Sequence, residues 1–392
     1  MKEYSRSGSY QLEVQMFLDL DYINKNDAIN TYSEILQQAD IWELVYELYE
    51  KRKEEISKFL EKVKDSKVIF TGAGTSEYVG NIAKEYLKSH GDFDFESIAT
   101  TDLVSAPYLH FKKDEKILLV SFARSGNSPE SLAAVELMED LVDDCYNLAI
   151  TCAEDGKLAQ KLYDDENAYV FIELDGTNDK GFAMTSSFTS MLLTSLLIFD
   201  KTNTDKKEIV RKISDAGRKI LDDRQNIEKM IDFDFDRIIY LGSGPLYKLT
   251  NEARLKVLEL TAGSVSSMYE SSMGFRHGPK SFIDKKTLVV SFISNNPYTR
   301  KYDTDILDEI CLDGIAKKVI AVANEEVSGS YDKLIYDIDG VDDGYLAVLY
   351  AIVAQLISLI TALRVGNTPD NPSKSQTVNR VVKGVSIHEY NK

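Results

Sequence analysis

Val68-Ile69-Phe70-Thr71-Gly72-Ala73-Gly74-Thr75-Ser76 starts as a short apolar run, turns through two glycines and continues into a helix-like stretch reaching Leu87. Strand, Gly-rich turn and helix in that order open a βαβ unit. A second unit follows at Lys116–Phe122 (KILLVSF), which runs into Ala123-Arg124-Ser125-Gly126-Asn127-Ser128-Pro129-Glu130-Ser131 and a helix from about residue 132. Pro129 suits the first turn of that helix and Ser128 its cap. Asn147–Thr151 reads as a third strand. Strands alternating with helices predict an α/β fold with a parallel sheet covered on both faces.

The same order returns later in the chain. Arg237–Leu241 leads into Gly242-Ser243-Gly244, and Thr287–Phe292 (TLVVSF) echoes Ile117–Phe122 (ILLVSF). Gly72 and Gly242 stand 170 residues apart, as do Ser121 and Ser291, and Val319–Ala323 lies near that offset from Asn147–Thr151. Equal spacing of matching elements predicts an internal repeat. The expected organisation is a helical segment at 1–50, a first α/β domain at 51–204, a second at 205–365 that includes a charged linking helix at about 205–230, and a tail at 366–392. The tail, rich in Asn, Pro, Ser and Lys, reads either as a frayed end or as an ordered flap over a site.

Composition narrows the function. The chain has 392 residues, 43% of them hydrophobic, enough to bury a core. Its formal net charge of −18 argues against nucleic acid as a partner, since phosphate backbones demand a cationic surface. A small anion needs only a local pocket of donors. Cys145, Cys152 and Cys311 form no zinc spacing and no disulfide framework, which suits a reducing, cytoplasmic compartment. The opening MKEYSRSGSYQLEVQ lacks the apolar core of a secretory signal. Leu346–Leu363 is nearly long enough to span a bilayer, but it carries Gln355, Ser358 and Thr361 and stands alone. A helix buried at an interface, with no membrane involvement, is expected there.

Ligands of open parallel sheets bind beyond the carboxyl ends of the strands, where both Gly/Ser-rich loops of the first half fall. Free N–H groups and the helix dipole favour anions there, with Ser76, Ser125, Ser128 and Arg124 as added donors. A dinucleotide is disfavoured, because Glu77 stands where the third glycine of that fingerprint belongs, and the P-loop pattern is absent. A phosphate monoester fits better. Met184-Thr185-Ser186-Ser187 precedes an apolar helix and reads equally as a cap or as a ligand contact. Further on, Glu252, Lys256 and Glu259 share one helix face by i,i+4 and i,i+3 spacing. Such triads are commonly solvated pairs, but this helix follows a strand-end turn, so a Glu there is a candidate general base kept ionised by Lys256. His277 sits in Gly274-Phe275-Arg276-His277-Gly278-Pro279-Lys280, either as a surface histidine or as one held rigidly on a loop. No metal-ligand spacing occurs, so neither metal nor organic cofactor is expected.

Together these segments resemble a known family. IFTGAGTS at 69–76, TTDLV at 100–104, SFARSGNSPES at 121–131, GFAMTSS at 181–187, KVLELTAG at 256–263, GFRHGPKS at 274–281, NPYTR at 296–300, GNTPDNPS at 366–373 and TVNRVV at 377–382 are similar to the galactosamine-6-phosphate deaminases, also called tagatose-6-phosphate ketose/aldose isomerases. These are relatives of the isomerase domain of glucosamine-6-phosphate synthase. The resemblance implies two tandem SIS (sugar isomerase) domains of flavodoxin-like, three-layer, parallel-sheet form, with an N-terminal helical segment and a C-terminal active-site tail. It implies that Ser76, Ser125, Ser128 and Thr185, with Arg124, hold the sugar phosphate. Glu259 would move the proton between C1 and C2, with Glu252 and Lys256 in support. His277, beside Arg276, would open the sugar ring, in its own or a neighbouring subunit's site of a homo-oligomer. Lys374 would belong to an active-site flap. Ala123 and Arg124 depart from the Ser and Gln usual in the synthases, and the glutaminase domain is absent, so ammonia release is the implied direction. A pure isomerase, a deglycase and a non-catalytic sugar-phosphate sensor are the alternatives; the sensor needs neither Glu259 nor His277.

Overall fold

A computed structural model describes residues 17–382 and 384–391 of the chain. The opening segment read above against a signal sequence lies outside these residues. Among the described residues, ten strands form two parallel sheets. The first has the order β2-β1-β3-β4-β5, with β1 Lys67–Thr71, β2 Asp94–Ser97, β3 Lys116–Ala123, β4 Asp144–Thr151 and β5 Ala168–Ile172. The second has the order β10-β9-β8-β6-β7, with β6 Arg237–Gly242, β7 Ser266–Ser271, β8 Thr287–Phe292, β9 Lys318–Ala323 and β10 Asp332–Ile335. From β7 to β10 the second sheet repeats the order of the first. Register follows suit, with Thr71 beside Ser121 and Leu241 beside Ser291. This is a tandem, parallel-sheet α/β architecture, as expected from the repeat.

Alternation along the strands divides the core into layers. Val68, Phe70, Leu118, Val120 and Phe122 of the first sheet and Ile238, Tyr240, Leu288, Val290 and Phe292 of the second point into one shared cluster. Central helices fill it, among them Asp343–Arg364, whose residues 344–363 are all buried. This is the expected interior helix. It packs against Gly244–Leu260, Lys206–Asp222 and Ser186–Phe199, which are also apolar on the faces they share with it. The opposite sheet faces carry separate clusters: Ile69, Ile117 and Leu119 against Ala134, Val135 and Met138 in one half, and Ile239, Leu241 and Val289 against Ile306, Leu307 and Ile310 in the other.

Two details differ from expectation. The linking helix is two helices, Lys206–Asp222 and Arg224–Met230, broken at Asp223. Residues 50 and 51, placed at a boundary above, both lie inside the continuous helix Gln38–Lys62, which packs on the first-half helix Ser186–Phe199.

Candidate active site

The order 2-1-3-4-5 reverses direction between β1 and β3, so a crevice opens at their carboxyl ends. Gly74 enters the helix Thr75–Leu87 with φ +58, a left-handed conformation that Gly adopts without steric cost. Lys256, on the second-half helix Gly244–Leu260, reaches this turn. Its ammonium donates to Thr75 Oγ1 at 2.9 Å and to Glu259 Oε2 at 2.5 Å, and lies 3.4 Å from Glu252 Oε1. Lys256 and Glu252 are 1% and 2% exposed at their side chains, Glu259 24%. Burial opposes the charge on Lys256, yet the two carboxylates outweigh it and raise the ammonium above its ordinary range. Glu252, buried, is pushed up to about 7 by desolvation, against the pull of Lys256 and Thr75. The arrangement is a sequestered Lys that clamps one carboxylate at the edge of solvent.

Arg124 faces the same region. Only 7% exposed, it donates from Nη1 to the carbonyl of Phe182 at 3.1 Å and from Nη2 to the carbonyl of Arg380 at 2.8 Å. Burial and the neighbouring Arg380 lower its guanidinium, while Asp179 and Glu259 favour its charged form. The serines line the two loops. Ser76 is buried, its hydroxyl 3.9 Å from Met184 Sδ. Ser125 Oγ accepts weakly from the Asn127 N–H at 3.4 Å. Ser128 occupies the cap position of the helix Pro129–Leu141, but its hydroxyl pairs with Ser131 Oγ at 2.6 Å instead of a backbone N–H.

Thr185 is buried, and its hydroxyl donates to Asp179 Oδ1 at 2.8 Å. Asp179 also accepts from the N–H groups of Thr185, Ser186 and Ser187 at 2.8–3.0 Å, so this carboxylate caps the helix Ser186–Phe199. Any ligand contact of Thr185 is left to its oxygen lone pairs.

The tail crosses the site in three ties. Asn367 donates to the carbonyl of Leu260 at 2.7 Å, next to Glu259. Asp370 accepts from the N–H groups of Asn30 and Thr31 at 2.8 Å, at the start of the helix Ile29–Leu36. Arg380 donates to the carbonyls of Gly181 and Asp179. Beneath that loop Glu34 accepts from the N–H groups of Lys180 and Gly181.

Three expected residues stand apart from this cluster. Lys374 is exposed and meets no partner among the described residues. His277 is likewise exposed: its N–H donates to the Gly274 carbonyl at 2.9 Å, and its imidazole has no hydrogen bond or ion pair among the described residues. Arg276 binds Glu309 at 2.6 Å and, with Lys280, pins the loop after β7 to the helix Pro297–Asp313. Thr75, Asp179, Glu34 and Arg380 were not singled out from the sequence. Thr75 and Arg380 had a signal there, their places in IFTGAGTS and TVNRVV, and Asp179 and Glu34 had none.

The chain is similar to known proteins along nearly its whole length. The SIS domain family matches residues 61–200. The D-galactosamine-6-phosphate deaminase AgaS of Escherichia coli is 41% identical over 369 residues, covering 92% of this chain and 96% of the relative. AgaS of Shewanella sp. (strain ANA-3) is 38% identical over 382 residues, 96% of each chain. The solved tagatose-6-phosphate ketose/aldose isomerase of Escherichia coli superimposes with a TM-score of 0.86 at 38% identity, over 93% of this chain and 97% of that one. With identity at this level over more than nine tenths of this chain and of the relatives, the chain belongs to the AgaS family of D-galactosamine-6-phosphate deaminases, within the SIS-domain proteins.

Proposed function

We propose that this enzyme converts galactosamine 6-phosphate and water to tagatose 6-phosphate and ammonia. The observation that carries the reading is the Lys256 clamp, which joins Glu259 to Thr75 at the mouth of the serine-rich loops. A phosphoryl group held at one end of a sugar leaves the other end for a carboxylate. Ser76, Ser125, Ser128 and Arg124 would hold the phosphate, and Thr185, oriented by Asp179, would add an acceptor toward the sugar.

Ring opening assisted by His277 exposes the C1 aldehyde and makes the C2 proton acidic. Glu259 takes that proton, leaving an enolamine, and returns it to C1. The C2 imine then adds water and releases ammonia, giving the ketose. Protons and water alone are exchanged, so the proposal calls for no metal or organic cofactor. Lys256 holds the Glu259 carboxylate in place by its hydrogen bond, and Lys374 in the flap would stabilise developing charge on oxygen. The exposure of His277 on a loop pinned by Arg276 and Lys280 supports its supply to the site of a second copy, in a homodimer or larger homo-oligomer with shared sites. Three free thiols fit a cytoplasmic setting.

The test is release of ammonia and ketose from galactosamine 6-phosphate and glucosamine 6-phosphate, assayed side by side with the full chain. Ammonia from the first is expected. Interconversion of tagatose 6-phosphate with its aldose, and no ammonia from either amino sugar, would instead establish a pure ketose/aldose isomerase, the activity for which the solved Escherichia coli protein is named.

A further inference from the structure

The second sheet has its own direction reversal, between β6 and β8, and a matching set of donors at the strand ends. Ser243 follows β6, Ser272 follows β7 and Ser294 follows β8. The backbone frames correspond: Thr100 N–H donates to the Gly72 carbonyl at 2.8 Å in the first half, and Ser272 N–H to the Gly242 carbonyl at 2.9 Å in the second. Gly74 and Gly244 share a positive φ, +58 and +54. What differs is the occupant. In the first half the hydroxyls of Ser76, Ser125 and Ser128 meet only a thioether, a backbone N–H and another serine. In the second half the donors converge on one carboxylate. Ser243 and Ser272 both donate their hydroxyls to Asp303 Oδ1 at 2.5 Å, and the Ser294 N–H reaches Oδ2 at 3.0 Å.

Asp303 comes from the helix Pro297–Asp313 and is 0% exposed. Hydroxyls and a loop N–H gathered round an oxyanion at a strand end are the donor set that binds phosphate in α/β folds. Two further donors of the loop after β8 are taken as well: Ser294 Oγ and the Asn295 N–H go to Asp343, at 2.5 and 2.7 Å.

We propose that the second half keeps an anion cradle whose ligand is the chain's own Asp303 carboxylate, so that each chain binds a single phosphoryl compound and binds it in the first half. The inference rests on the first half being the phosphate-binding half, as read above; the cradle itself stands on its own contacts.

The experiment counts inorganic phosphate bound per chain by calorimetric titration of the full chain, its Asp303→Ala variant and its Asp303→Asn variant. Asp303→Ala is expected to bind one equivalent more than the unmodified chain, whatever number that chain binds, so the count does not depend on the sugar or the reaction. Asp303→Asn keeps the cradle filled and gains none. Denaturation in phosphate against chloride at equal ionic strength gives the second readout. Phosphate at ten times its Kd for the opened cradle raises the folded-to-unfolded ratio of Asp303→Ala about elevenfold beyond its effect on the unmodified chain. If Asp303→Ala folds only in phosphate, that rescue supports the cradle. An alanine variant that stays unfolded in phosphate, or that binds no more phosphate than the unmodified chain, overturns it.

Discussion

Arg124 and Arg380, 256 residues apart, meet where the guanidinium of the first donates to the main-chain carbonyl of the second at 2.8 Å. The side chain of Arg380 in turn reaches back to the loop at Gly181 and Asp179. The pair ties the tail to the carboxyl end of β3, beside the residues proposed to hold phosphate.

Removing the Arg380 guanidinium should therefore loosen the tail without disturbing the core. Hydrogen bonds to charged groups contribute about 1.5–3 kcal/mol each, so kcat/KM of Arg380→Ala should fall on the order of tenfold or more. Amide exchange should quicken over 373–382 and stay unchanged in β6 and β8. Equal exchange in the tail of both proteins would show that Arg380 does not hold it.

Glu259→Gln keeps the size and polarity of the side chain and removes the base. Turnover should drop by a factor of roughly 10² to 10⁴, while the dissociation constant of a non-reacting sugar-phosphate analogue stays within a few-fold. Turnover near that of the unmodified enzyme would refute the assignment of the base.

Lys256→Met leaves Glu252 buried with no cation beside it. Breaking a buried pair from one side costs about 3–5 kcal/mol, which a urea titration reads directly. The double variant Lys256→Met/Glu252→Gln should recover part of that loss. If the two single changes simply add, Glu252 and Lys256 are not coupled.

Glu173, just after β5, is buried; one carboxylate oxygen accepts from Thr194 Oγ1 at 2.6 Å and the other finds no partner among the described residues. Burial pushes its carboxyl up to about 7, against smaller opposing effects of Thr194 and Arg52. The folded chain thus holds this proton more tightly than the unfolded one. Its stabilising effect is full below the ordinary carboxylate range near 4.5 and is lost as pH rises through about 7. Glu173→Gln should remove that part of the slope, up to about 3 kcal/mol between pH 5 and 8. Glu34 and Glu252 are raised to about 7 as well, so the informative quantity is the difference between variant and unmodified chain. Parallel stability curves for the two would exclude Glu173 as a source.

The strands readable in the sequence and those that were not differ in one physical respect. β1, β3, β4, β6, β8 and β9, all foreseen, are the interior strands of the two sheets, while β2, β5, β7 and β10 are the four edges. Interior parallel strands are buried on both faces and read as apolar runs. An edge strand such as β7, Ser266–Ser271, is half exposed along nearly all its length and spells SSMYES, which no hydrophobic pattern distinguishes from a loop.

The site divides the same way. Local periodicity by itself determined the alternating α/β plan, the matched 170-residue spacing and the shared helix face of Glu252, Lys256 and Glu259, because these depend only on residues a few turns apart or on repeated patterns. Only the tertiary structure decided that Lys256 reaches Thr75 across 181 positions, that Arg124 holds the tail, and that Asp303 fills the second crevice from 60 positions away. Those contacts arise from how the central helices and the tail pack against two sheets at once, and no local sequence period encodes which buried polar groups such packing brings together.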